Sequence, residues 1–125
     1  MGTAYDIALC NAWKSPLSES KYGAVLVWRG KIISSGFNRY NMQNLKTKND
    51  DYERFRYTIH AEVSCIINCK NNKDLRGGRI KKILSESTLI LSRLTKNGET
   101  TRCESCISCQ KFIKKHNIPR IVYLC

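Results

Sequence analysis

The sequence predicts an α/β sandwich, with helices laid over a mixed sheet, and three observations carry that expectation. Apolar residues near the N-terminus recur at helical spacing. Two short apolar runs flank an Arg29-Gly30 turn, and helical and strand-like runs alternate from there to the C-terminus. The chain has 125 residues, 42% of them hydrophobic, which fits one domain over 1–125 built on a single core.

Ala4, Ile7, Ala8 and Ala12 share one helical face, so an amphipathic helix is expected over 3–14. Ser15-Pro16 ends it, because proline drives the preceding residue out of the α region. Gly23-Ala24-Val25-Leu26-Val27-Trp28 reads as a strand, and Lys31 to Phe37 returns as its hairpin partner. From 38 to 57 the chain is polar and charged, with Asn44, Asn49, Asp50 and Asp51, and reads as a loop at the mouth of a site. A helix follows from His60 to Lys70, with Ala61, Ser64, Cys65 and Asn68 along one face. Asn71-Asn72-Lys73 stops it, and Gly77-Gly78 is flexible punctuation. Thr88 to Ser92 forms a third strand, Lys96-Asn97-Gly98 a turn, and Cys106 to His116 a third helix. Pro119 opens a last strand through Ile121, Val122 and Tyr123. The order α-β-β-α-β-α-β belongs to a layered α/β sandwich, and no internal repeat interrupts it.

Bulk properties narrow the function classes. No run approaches about 18 apolar residues, which argues against a membrane span, and the start Met1-Gly2-Thr3-Ala4-Tyr5-Asp6 lacks the order of a signal peptide. A cytoplasmic location is expected. Seven cysteines, clustered and odd in number, fit metal ligands and free thiols better than a disulfide framework. The net charge of +12 predicts attraction to anions: a nucleotide phosphate, an RNA or a DNA.

The chemistry is concentrated in His60-Ala61-Glu62 and in Cys103-Glu104-Ser105-Cys106-Ile107-Ser108-Cys109. One imidazole and two thiolates can hold a zinc ion and leave its fourth tetrahedral position for water. Cysteines at i and i+3 of a helix point to the same side, and a helix N-terminus favours the thiolate. Three cysteines offer two overlapping frames. In the frame Cys106/Cys109, Ser105 is a natural N-cap, Cys106 is the first helical residue, and Phe112, Ile113 and His116 continue the face of Cys109. Cys103 is then a spare thiol. Glu62 is rotated by about 200° from His60, so it can face a pocket beside the metal without joining its shell. Cys65 and Cys69 read as core residues, His116 as a helix C-terminal histidine, and Lys81-Lys82 and Lys114-Lys115 as solvated faces.

The H-x-E and C-x-x-C motifs, in this order and with an upstream hairpin, resemble the zinc-dependent cytidine/deoxycytidylate deaminase superfamily over nearly the whole chain. The resemblance is to its small, deoxycytidylate-deaminase-like members. It implies a three-layer cytidine-deaminase-like sandwich, C-terminally minimal because family members usually add a helix and a strand beyond this point. It supports the later frame, since the strand Ile118-Pro119-Arg120-Ile121-Val122-Tyr123 stands at the family's distance from Cys109. The family's proline before the first cysteine is replaced here by Ser105, or by Arg102 in the earlier frame.

The implied site has one zinc per chain on His60, Cys106 and Cys109, with Glu62 as the catalytic proton shuttle. The implied substrate-binding residues are Asn38, for the sugar, together with Ala61 and with Gly23 and Ala24, where backbone approaches the base closely. The implied reaction converts cytosine to uracil in a small nucleotide or nucleoside and releases ammonia. Two alternatives stay open. One is a deaminase of tRNA adenosine or of polynucleotide cytosine, with Tyr40, Tyr52, Phe55 and Tyr57 holding an extruded base. The other is a non-catalytic, basic nucleic-acid-binding module stabilised by a closed Cys₃His zinc site of His60, Cys103, Cys106 and Cys109. A homo-oligomer is left open, and no membrane partner is expected.

Overall fold

The computed structural model describes residues 2–17, 20–40, 58–72 and 79–124. Residues 41–57, with Tyr52, Phe55 and Tyr57, which the sequence reads as part of a loop, lie outside the described residues, as do Lys73 and Gly77-Gly78.

The first helix, α1 (Gly2–Lys14), buries Ala8, Asn11 and Ala12 and leaves Trp13 exposed, so the face foreseen from the apolar spacing is the one that packs. Strands β1 (Lys21–Trp28) and β2 (Lys31–Phe37) form the expected hairpin. Its turn residues Arg29 and Gly30 have φ of 49° and 78°, the pair of positive values that a two-residue turn of primed type requires. A register shift between Leu26 and Val27 places a bulge near the hairpin end.

Two short strands, β3 (Arg39–Tyr40) and β4 (Thr58–Ile59), bring the ends of the 41–57 segment together, and α2 (Ala61–Lys70) follows at once. Next come α3 (Arg79–Ser85), β5 (Thr88–Leu94), α4 (Ile107–Lys115) and β6 (Arg120–Leu124). The α3 helix had been read as punctuation and a basic surface. It forms because Ile80, Ile83 and Leu84 recur at helical spacing, and the last two are buried.

The main sheet has the order β2-β1-β5-β6, antiparallel except for the β5–β6 pair, so it is mixed as expected. Alternation along β1 divides the molecule. Val25 joins Ala8 and Ile90 under α1, whereas Ala24 and Leu26 join Leu89, Leu91, Ile66 and Phe112 on the opposite face. The result is three layers: α1, the sheet, and α2 with α4. The layers approach closely at two glycines. A Cβ on Gly23 would collide with the Ala8 carbonyl and the Ala12 nitrogen of α1, and one on Gly36 would lie 2.5 Å from the Cys65 nitrogen of α2. Among the described residues no helix is long and apolar enough to cross a membrane.

Candidate active site

Two helix N-termini converge on one point. His60 is the N-cap of α2 (φ −71°, ψ 155°) and Cys106 the N-cap of α4 (φ −68°, ψ 165°). Both stand one residue earlier than expected from the sequence, which had put His60 in the first turn and Cys106 after a Ser105 cap. The sulfur of Cys106 itself takes the capping role, accepting the Cys109 backbone N–H at 3.4 Å. Ser105 is buried, and its hydroxyl has no hydrogen-bond partner.

The Nδ1 atom of His60 lies 3.2 Å from the Cys109 sulfur and 3.6 Å from the Cys106 sulfur. The ligand atoms of His60, Cys106 and Cys109 all fall within 4.8 Å of one another, the group of this kind found among the described residues. Tetrahedral zinc, with bonds of ~2.0–2.3 Å, holds such atoms about 3.5–3.8 Å apart. The donor set therefore fits zinc in both softness and spacing. Burial, with the Glu62 carboxylate second, pushes the Cys109 thiol far up, so its thiolate would form only against a bound cation. Burial pushes His60 down, despite the opposing charge of Glu62, and keeps the imidazole in its neutral, metal-ligating form. Cys103 lies outside the group, its buried thiol facing the carbonyls of Leu91 and Leu124 at 3.6 Å each.

Beside the ligand group opens a cavity of about 220 Å³, lined by Leu17, Ser20, Tyr22, Asn38, Thr58, His60, Glu62, Glu104 and Cys106. Glu62 is 3% exposed and still lines this space, the placement expected of a carboxylate that works on a bound molecule. Asn38 lines it too, but most of its amide is engaged: Oδ1 accepts the Tyr22 N–H and Nδ2 donates to the Ser20 carbonyl, each at 2.8 Å. One N–H of that amide remains for a ligand.

Gly23, Ala24 and Ala61 do not line the cavity. The smallness of Gly23 answers the backbone of α1 on the far face of the sheet, and the side chains of Ala24 and Ala61 are buried in the core on the α2 side. Four wall residues had drawn no attention in the sequence: Leu17, Ser20, Tyr22 and Thr58. Only the alternation of β1 hinted at Tyr22, which shares the face of Ala24 and Leu26.

Solved structures of similar fold include the dCMP deaminase of cyanophage S-TIM5, with a TM-score of 0.65 at 18% identity, covering 98% of this chain and 79% of that one. A mutant cytidine deaminase from Mycobacterium tuberculosis aligns with a TM-score of 0.58 at 16% identity, over 99% and 84% of the two chains. Guanine deaminase from Bacillus subtilis aligns with a TM-score of 0.53 at 22% identity, over 98% and 62%. At such identities the likeness speaks for the cytidine-deaminase-like fold. No curated protein matches the sequence at a significant level. The family model described as "Cytidine and deoxycytidylate deaminase zinc-binding region" matches residues 2–125, and the chain belongs to that family.

Proposed function

We propose that the protein is a zinc-dependent hydrolytic deaminase of a cytosine nucleotide, converting the base to uracil with release of ammonia. One observation carries the reading: three zinc-type ligand atoms meet at the edge of a cavity that a buried, non-ligating glutamate also lines. One zinc ion per chain, held by His60, Cys106 and Cys109, supplies when bound a Lewis acid that lowers the pKa of water from about 15.7 towards ~7.

The chain's own residues do the rest. Glu62 takes a proton from the attacking water and places it on the ring nitrogen. It then helps the amine leave as ammonia, while the water oxygen remains on the ring as the new carbonyl. Tyr22, Asn38 and Thr58 form the wall against which base and sugar would lie. A small nucleotide is favoured over a polymer by the size of the cavity, and the cyanophage dCMP deaminase has been solved in complex with dCMP and dUMP.

Ammonia release tests the reading, measured on the zinc-loaded protein with cytosine, cytidine, deoxycytidine, their monophosphates, guanine and short oligonucleotides. The expected result is the highest kcat/KM on a cytosine monophosphate, falling as salt is added. Equal kcat/KM for cytosine and its monophosphate, unaltered by salt, would sink the nucleotide reading, and turnover of oligonucleotides alone would replace it by a nucleic-acid deaminase.

A further inference from the structure

A nucleotide phosphate calls for a cation, yet among the described residues the side chains lining the cavity include the carboxylates Glu62 and Glu104 and no lysine or arginine. The net charge of +12 therefore does not by itself put a cation where a substrate phosphate would lie. One cation stands directly behind the wall. In the β1–β5 pairing Arg93 is opposite Tyr22, which puts it on the face of the sheet that carries the site. Its guanidinium lies 5.4 Å from the centre of the Tyr22 ring, and its Nη2 donates to the Ser20 hydroxyl at 2.9 Å. Ser20 and Tyr22 both line the cavity.

The other contacts of Arg93 are few. Nη1 reaches the Arg102 carbonyl at 3.4 Å, near the limit for a hydrogen bond, and Nε is buried with no partner. Among the described residues no carboxylate lies within ion-pairing distance of it. A half-buried guanidinium with five N–H donors, one of them unsatisfied and no counter-ion beside it, is an incomplete arrangement. An anion would complete it.

We propose that Arg93, together with Ser20, forms the subsite that takes the phosphomonoester of the substrate and so sets the preference for nucleotide over nucleoside. The planar fork of arginine matches two phosphate oxygens at once. The Ser20 hydroxyl, which accepts from Arg93, keeps its own hydrogen to donate to the same phosphate. The Tyr22 ring holds the guanidinium by its face. This inference rests on the deaminase reading of the site, with Arg93 as its specificity-determining residue.

The test compares kcat/KM for dCMP and for deoxycytidine in the zinc-loaded wild type, Arg93→Gln, Arg93→Lys and Ser20→Ala. In Arg93→Gln the preference for dCMP should fall about tenfold or more, the size expected for losing charge-assisted hydrogen bonds. Arg93→Lys should recover part of it at low salt, and Ser20→Ala should lose part of it. A second arm is equilibrium binding of dCMP to Glu62→Gln protein, with and without Arg93→Gln, and its competition by inorganic phosphate. Competition should depend on Arg93.

An unchanged dCMP-to-deoxycytidine ratio, with both substrates losing activity equally, would overturn the proposal and reduce Arg93 to a strap between β5 and its neighbours. Loss confined to oligodeoxynucleotides would overturn it as well, by moving the subsite to a backbone phosphate. Should Arg93→Gln not fold, Arg93→Lys and Ser20→Ala decide the ratio. If wild type deaminates neither compound, the deaminase reading has failed. Phosphate binding that is lost in Arg93→Gln would then still support the subsite, and binding independent of Arg93 would overturn it.

Discussion

Cys106 combines two roles at one position: its sulfur caps α4 by accepting the Cys109 N–H, and the same atom faces His60. The bond satisfies an open helix end and leaves the sulfur facing the ligand group. Metal analysis should find about one zinc per chain in wild type and near-normal zinc in Cys103→Ser, whose thiol faces backbone carbonyls. Cys106→Ser and Cys109→Ser should lose the metal, and an emptied site in Cys103→Ser would redraw the ligand set. Glu62 is 3% exposed but lines the cavity, so a carboxamide of the same shape should fit there. Glu62→Gln should keep zinc and fold and lose turnover by at least the ~10²–10⁴-fold attributed to general acid–base catalysis, since an amide shuttles no protons. Retained ammonia release in a zinc-loaded Glu62→Gln protein would remove this residue from the reaction.

At the scale of elements, the site depends on helices seated tightly on the sheet. Gly36 lets α2 approach β2, and the contact is tied by Ser34 Oγ donating to the Cys65 carbonyl and Asn68 Nδ2 donating to the Ser35 carbonyl. Gly23 does the same for α1 against β1, where the neighbours are backbone atoms that cannot swing aside. Gly23→Ala should therefore destabilise the fold by about 1–3 kcal/mol, the range for overpacking, seen as a lower denaturant midpoint at unchanged slope. The far ends of α2 and α4 also meet, through His116. Its Nδ1 is 3.0 Å from the Phe112 carbonyl and its Nε2 is 3.5 Å from Lys70 Nζ. Burial first, then Lys70 and Lys115, pushes its pKa down against the opposing Phe112 carbonyl. The folded state thus binds fewer protons there than the unfolded state. The His116 contribution is fully present above the unfolded value of about 6.5 and is lost as pH falls through the lower folded value. Between pH 7 and pH 5, His116→Gln should lose less thermal stability than wild type. An equal or larger loss would contradict this account.

At the scale of the whole molecule, the ligand group joins α2 to α4 across 46 and 49 residues of chain. An ion bound there would clamp the N-terminal ends of two helices whose far ends already meet at Lys70 and His116. Binding to the folded state alone stabilises it by about 4 kcal/mol when free zinc exceeds Kd a thousandfold. Stripping the metal with a chelator should lower Tm, and added zinc should restore it. The stripped protein should keep its far-UV circular dichroism, because both core clusters are built mainly from apolar side chains packed on the sheet. Loss of secondary structure on stripping would instead mark the metal as necessary for folding.

The amino-acid sequence alone determined the order of the core elements (α1, the four main-sheet strands, α2 and α4), the hairpin and the site vocabulary. These are local properties: helical or alternating spacing, an Arg29-Gly30 turn, and motifs whose residues lie two or three positions apart. It did not reveal α3, whose apolar triad Ile80, Ile83 and Leu84 is hidden among basic residues, nor the one-residue placement of the caps, which depends on a sulfur accepting a backbone N–H. Tertiary structure decided what the cavity is made of. Leu17, Ser20, Tyr22 and Thr58 carry no motif and come together only when β1, β4 and the chain after α1 are folded around the metal ligands. It also decided that Gly23 packs against the backbone of α1, and that Arg93 stands behind Tyr22, because a cross-strand neighbour is set by register and not by distance along the chain.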